Sequence, residues 1–153
     1  MSDVKEIYEK LSKKYNLPAY VDINREFELD DIEEHFVLKN CLRKGAEKLE
    51  FYMGILNDIL QPDTGSLSSM HETRFFNNDE RQQMFLLFKR MMKAHRSIIF
   101  TLLVNDEKGQ AACLKTIFSE WIAMKKELSP IVNTMKETWD KDTTIQEEVR
   151  YFG

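Results

Sequence analysis

At 153 residues with 42% hydrophobic content, the chain is long enough for one domain of ordinary size, 1–153, that buries a substantial core. The 31% charged content and net charge of −4 suit a soluble protein and give no general reason to expect a nucleic-acid binder, so any anionic partner must meet a local patch. The charged opening Met1-Ser2-Asp3-Val4-Lys5-Glu6 lacks an apolar signal core, and the longest apolar run, Ile98 to Val104 with one threonine, is too short to span a bilayer, so the expected setting is cytoplasmic with no membrane contact. The two cysteines, Cys41 and Cys113, sit in helical patterns far from any CxxC spacing and read as reduced core thiols.

Apolar residues recurring at three- and four-residue steps predict helices nearly throughout. The first runs from Asp3 to Tyr15 with Val4, Ile7, Tyr8, Leu11 and Tyr15 on one face, and Leu17-Pro18 ends it. Residues 17–29 read as an irregular connector with room for a short turn at Ile23 to Phe27. The acidic run Glu26, Glu28, Asp30, Asp31, Glu33, Glu34 then reads as charge favouring the positive dipole end of a second helix.

That second helix is predicted over Asp31 to Leu60, with Leu38, Leu42, Leu49, Tyr52, Met53, Leu56 and Leu60 as its main face. Phe36, Val37, Phe51 and Ile55 form a second stripe, wider than one neighbouring helix covers, and are expected to make a homodimer contact or to lie under the first helix. The connector 61–78 is long for a bundle loop. Ser69-x-x-Glu72 is expected to cap a short helix there, with Phe75 and Phe76 folding back onto the core.

The third long helix, Asp79 to Val104, is capped by Asn78 or Asp79 and presents Met84, Phe85, Phe88, Met91, Met92, Ile98, Ile99, Leu102 and Leu103, with His95 mid-stripe. Asn105-Asp106 turns into a fourth, Glu107 to Trp139, whose face carries Cys113, Leu114, Ile117, Trp121, Met124, Leu128, Ile131, Val132, Met135 and Trp139. Its phase survives Pro130, which predicts a kinked but continuous helix. Thr144-Ile145-Gln146-Glu147 matches a capping box for a short C-terminal helix with Ile145, Val149 and Phe152 on one side. The fold class is therefore all-α, an up-down bundle of three long helices plus N-terminal and short C-terminal helices.

Two motifs carry enzyme-like spelling and fail on context. Asp63-Thr64-Gly65-Ser66 spells an aspartic-protease tetrapeptide, but that chemistry needs two such aspartates in a β-sheet cleft, and here the residues are turn formers after a helix stop. His71-Glu72-Thr73-Arg74-Phe75 lacks the second histidine of a zinc-protease helix, and no Glu-x-x-His pair suggests a di-metal bundle. His71, Glu72 and Arg74 read as surface polar groups.

Between Arg81 and Asp106 lie five basic residues and no acidic one, and Lys89, Lys93 and Arg96 fall along one flank that could track phosphates. Lys39, Arg43, Lys44 and Lys48 form a looser basic stretch whose simplest role is pairing with acidic helices. Aligning the long helices at about 1.5 Å per residue puts His95 level with Lys44 and Thr116, in a layer with Cys41, Gly45 and Cys113. Gly45 is then expected to admit the imidazole. Cys41, His95 and Cys113, with Glu120 as fourth ligand, form the candidate metal site, against a hydrogen-bonded core histidine beside two thiols.

The functional expectation is a non-catalytic helical module acting through protein–protein contacts, chiefly self-association, with no cofactor. The alternatives are a phosphate or nucleic-acid accessory using the basic flank, and a small-ligand or metal site inside the bundle.

Overall fold

The computed structural model describes residues 3–144, where every regular element is helical: α1 Asp3–Tyr15, α2 Tyr20–Phe27, α3 Val37–Leu60, α4 Leu67–Thr73, α5 Asn78–Val104 and α6 Glu107–Thr138. The C-terminal helix expected from Ile145 onward lies outside the described residues. Among those described, no helix is long and apolar enough to cross a membrane. The chain divides into two compact units, Met1–Phe51 with Met92–Ile122, and Tyr52–Met91 with Ala123–Gly153.

In the first unit, α1 buries Val4 and Tyr8 and stops where Asn16 turns left-handed at φ 55°. The Leu17 N–H then reaches the Ser12 carbonyl at 3.3 Å, a Schellman-type closure, and the Tyr8 hydroxyl donates to the Pro18 carbonyl at 2.6 Å. The expected irregular connector is instead a two-turn helix, α2, burying Ile23, Glu26 and Phe27. Its period was hidden by a buried glutamate standing where an apolar residue is looked for. The Trp121 indole donates to Glu26 Oε1 at 2.8 Å, so this carboxylate is a buried acceptor and not part of a helix-dipole cluster.

The second predicted helix also starts late. Phe36 has φ 60°, which breaks a right-handed helix, and α3 begins at Val37 with no acidic residue in its first turn. The acidic run serves other partners: Asp31 pairs with Lys44 at 3.5 Å, Glu28 with Lys48 at 4.0 Å, and Asp30 accepts from Asn24 at 3.2 Å. Gly45 does not make room for His95. A Cβ there would meet the Phe27 ring at 3.5 Å and Ile117 Cγ2 at 3.7 Å, ordinary contacts, so the position faces α2 and Ile117 and has room for a methyl group but not for a large side chain.

The second unit is held by side chains that serve helix-end carbonyls. Ser69 and Thr73 donate to the carbonyls of Asp58 and Ile59 in the last turn of α3, at 2.7 and 2.6 Å. Arg81 donates to the carbonyls of Thr73 and Phe76 at 2.7 and 3.1 Å. Ser69 is thus a buried brace and not the cap of the short helix. Ser66 caps α4, accepting from the Ser69 N–H at 3.3 Å. Asn77, one residue before the predicted caps, forms a reciprocal box with Glu80 at the start of α5, at 2.8 and 2.9 Å. Asp63 Oδ1 accepts from the Gly65 N–H at 2.9 Å, the turn chemistry expected of that tetrapeptide. α6 continues through Pro130.

His71 is buried, contrary to its reading as a surface group. Its ring centroid lies 4.2 Å from that of Trp139, and Nε2–H donates to the Thr138 carbonyl at 2.8 Å. Trp139 in turn donates to Glu72 at 2.9 Å, which ties α4 to the end of α6.

Two sets of variants test this packing through urea midpoints. Gly45→Ala should be neutral or stabilise by up to about 1 kcal/mol, since the new contacts are ordinary and alanine is the better helix former. Gly45→Leu should cost about 1–3 kcal/mol by overpacking Phe27. Trp121→Phe, which removes a donor from a buried carboxylate, should cost about 1–3 kcal/mol, whereas Trp139→Phe keeps its stacking on His71 and should cost less than about 1 kcal/mol.

Candidate functional site

The tight turn between α5 and α6 is set by Asn105 at φ 60° and by Asp106, whose Oδ2 accepts from the Gly109 N–H at 2.9 Å. In the first unit the two helices therefore lie side by side, and the Cys113 thiol reaches the Ser97 carbonyl at 3.9 Å. Where they face, α6 offers Gly109, Ala112 and Thr116 and α5 offers Ser97 and Thr101. These side chains are too small to fill the space. The result is an open groove of about 590 Å³, walled by Phe100 and Ile117, with Lys93 and Arg96 on the α5 side and Glu120 on the α6 side.

The α5 seam differs from the predicted face. Met84, Leu87, Met91, Ala94, His95 and Ile98 are buried, while Phe85, Ile99 and Leu103, expected in the core, are exposed. Ile99, Phe100, Leu103 and Val104 fall on one side of the last two turns, with Phe100 65% and Leu103 80% exposed. On the same side one turn earlier stand Lys93 and Arg96. The face is basic and then apolar along its length.

Of the proposed contact stripe, Val37 is buried and Ile55 is half-buried, so neither is on open surface; Phe36 and Phe51 are 68% and 64% exposed. Lys39 sits over the Phe36 ring at 4.6 Å. Lys93 and Arg96 share the groove. Lys89 belongs to the second unit's part of α5, where it lies 5.7 Å from the centre of the Phe85 ring. All four cations of the looser basic stretch are engaged nearby, Lys39 with the Phe36 ring, Lys44 and Lys48 with carboxylates and Arg43 with Asn40 at 3.0 Å.

Among the described residues no three His, Cys, Asp or Glu side chains are placed to hold a metal together, so Cys41, His95, Cys113 and Glu120 do not form the candidate ligand set. The reason is visible at His95. The Arg96 guanidinium has only N–H groups to offer and lies 2.7 Å from Nδ1, so Nε2 carries the proton and donates to Glu50 Oε1 at 2.8 Å. Both ring nitrogens are committed, which is the hydrogen-bonded core histidine weighed against the metal site.

Burial pushes the Cys41 thiol up to about 12, and Cys113, which lines the groove, is raised chiefly by partial burial, against a hydrogen bond from Thr101. Arg96 and Lys93 were legible as a basic flank, but Phe100 was not singled out. Its signal was available, since it follows Arg96 by four residues and shares its side of the helix. Compared with known protein families, curated proteins and solved structures, the chain matches none.

Titrating the folded chain with a thiol reagent near neutral pH should modify Cys113 alone, with Cys41 reacting only on unfolding. Cys113→Ser should leave the native protein unreactive. Because the Cys41 value is raised from 9.0 to about 12, its contribution to stability is complete below pH 9 and is lost as pH rises toward 12.

Proposed function

We propose that this chain is a non-catalytic helical module that works through protein contacts, and that its first contact is with a second copy of itself. The carrying observation is the exposed side of the last two turns of α5, where Ile99, Phe100, Leu103 and Val104 stand together. Isolated surface apolar residues need no explanation, whereas a contiguous group marks a contact surface. Phe36 and Phe51 add exposed aromatic area on the same unit.

We read the three long helices as an up-down bundle acting as one domain, since α3, α5 and α6 each supply residues to both units. The setting that fits a surface without a long apolar span is the cytoplasm. No catalytic role is assigned to the groove, because its one buried imidazole neighbour, His95, has both nitrogens occupied by Glu50 and Arg96.

Sedimentation velocity over a concentration series tests the reading. Wild-type mass should rise above that of the 18.2 kDa chain. Leu103→Glu should return it to monomer and, at a concentration where wild type is monomeric too, should melt at the wild-type temperature, because the residue is solvated in the single chain. A wild-type chain that stays monomeric at the highest concentration tested rejects self-association.

A further inference from the structure

The groove beside Phe100 has a counterpart elsewhere on the same unit. The segment between α2 and α3 carries Glu33, Glu34 and Phe36 on exposed positions immediately before α3. Each surface combines one exposed aromatic ring with two like charges, positive at Lys93 and Arg96, negative at Glu33 and Glu34. Among the described residues, Lys93 and Arg96 form no salt bridge, and Glu33 and Glu34 pair with no lysine or arginine. Lys39 and Glu120 are the opposing charges on the two sides, one each, so both surfaces keep their net sign.

We propose that the acidic segment of one copy seats in the α5–α6 groove of a second copy, with Glu33 and Glu34 against Lys93 and Arg96 and Phe36 against Phe100. The proposal rests on the self-association reading above and names its surfaces. Two such insertions, each copy giving its segment and receiving the other's, close a two-fold dimer without leaving either surface free.

The local electrostatics of the acidic segment agree. The Glu34 carboxyl is raised above its usual range first by a hydrogen bond with the carboxyl of Asp3 and then by that group's charge, with His35 acting the other way. Two acids held together in solvent are relieved by an outside cation, and no lysine or arginine of the described chain is placed to do it. The groove meets the aromatic requirement as well: Gly109, Ala112 and Thr116 line it with small side chains, which leaves room for a ring beside Phe100 and Ile117. Charges of this kind set orientation and encounter more than affinity, and are weakened by salt.

The test uses two full-length variants, one with the groove reversed (Lys93→Glu with Arg96→Glu) and one with the segment reversed (Glu33→Lys with Glu34→Lys). Circular dichroism and melting are read at a concentration where every protein is monomeric: the segment variant, whose two glutamates are exposed, should match wild type, and the groove variant should keep the wild-type spectrum and lose in melting temperature only what the Arg96–His95 hydrogen bond supplies, which separates a change in mass from unfolding. Each variant alone should dimerise at least tenfold more weakly than wild type in low salt. Mixed together they should regain a dimer, because the reversed groove then faces the reversed segment and the two native surfaces face each other.

Recovery on mixing is specific to this pairing. A wild-type dimer whose mass neither variant alters, or weakened variants that fail to recover when mixed, overturns the proposed surfaces while self-association stands. A monomeric wild type overturns both readings. If that monomer retains a single-stranded oligonucleotide and Arg96→Glu releases it, the groove is a phosphate site and the protein-docking assignment is wrong.

Discussion

Four helix boundaries of the first unit turn on one residue with left-handed backbone: Asn16, Glu28, Phe36 and Asn105. None is a glycine, so each carries a steric cost of about 1–2 kcal/mol for an ordinary side chain, least for the asparagines. The cost is offset locally. Ser12 receives the Leu17 N–H, Asn24 accepts from the N–H groups of both Glu28 and Leu29, Asn40 donates its side-chain amide to the His35 carbonyl, and Gln110 donates to the Asn105 side chain at 3.2 Å. Both surfaces discussed above follow from two of these turns. The Phe36 turn delays α3 and leaves the acidic segment outside it, and the Asn105 turn lays α5 beside α6 so that small residues face one another.

Buried polar groups do the same work inside each unit. Glu26 accepts from Trp121, His95 bridges Glu50 and Arg96, and His71 holds the carbonyl at the end of α6. A buried donor or acceptor without a partner costs about 1–3 kcal/mol, whereas a satisfied one contributes only about 1 kcal/mol net. These groups therefore fix which packing is allowed more than they add to stability. In the second unit, Ser69, Thr73 and Arg81 place the short α4 by serving carbonyls that the helix ends leave open.

Helical class and the extent of α1, α5 and α6 were legible because apolar spacing is a direct consequence of helix geometry. Boundaries and phase were less so. A left-handed turn at Phe36 has no signal in residue type, since phenylalanine is an uncommon choice there. The acidic run looked like dipole charge because sequence shows neighbours along the chain, while the real partners, Lys44, Lys48 and Trp121, lie far along it. On α5 the large residues Phe85, Ile99 and Leu103 drew the predicted face toward themselves, yet the seam runs through Leu87 and Ala94. Close packing rewards fit over size, and an alanine lets a neighbouring helix approach where a phenylalanine cannot. For the same reason Gly45 was legible as a point of close approach, but its neighbour was α2 and not the imidazole across the layer.

The exposed end of α5 sets a limit on how strong any contact there can be. If a contact covers about 300 Å² of apolar surface on each of two copies, the hydrophobic gain is about 15 kcal/mol at roughly 25 cal/mol per Å². Immobilising two molecules costs about 4–15 kcal/mol, so at the upper end of that cost the apolar face alone leaves almost no net affinity, and at any cost it leaves no preferred orientation. Ile99, Phe100, Leu103 and Val104 are interchangeable in that respect, since burial is non-directional. Lys93 and Arg96 are not. Fixed one turn before the apolar group, with the Arg96 guanidinium held against His95, they make one end of the face prefer carboxylates. A weak apolar surface with a fixed charge at one end selects its partner by orientation, and a change in salt or in two charges is then enough to switch the contact on or off.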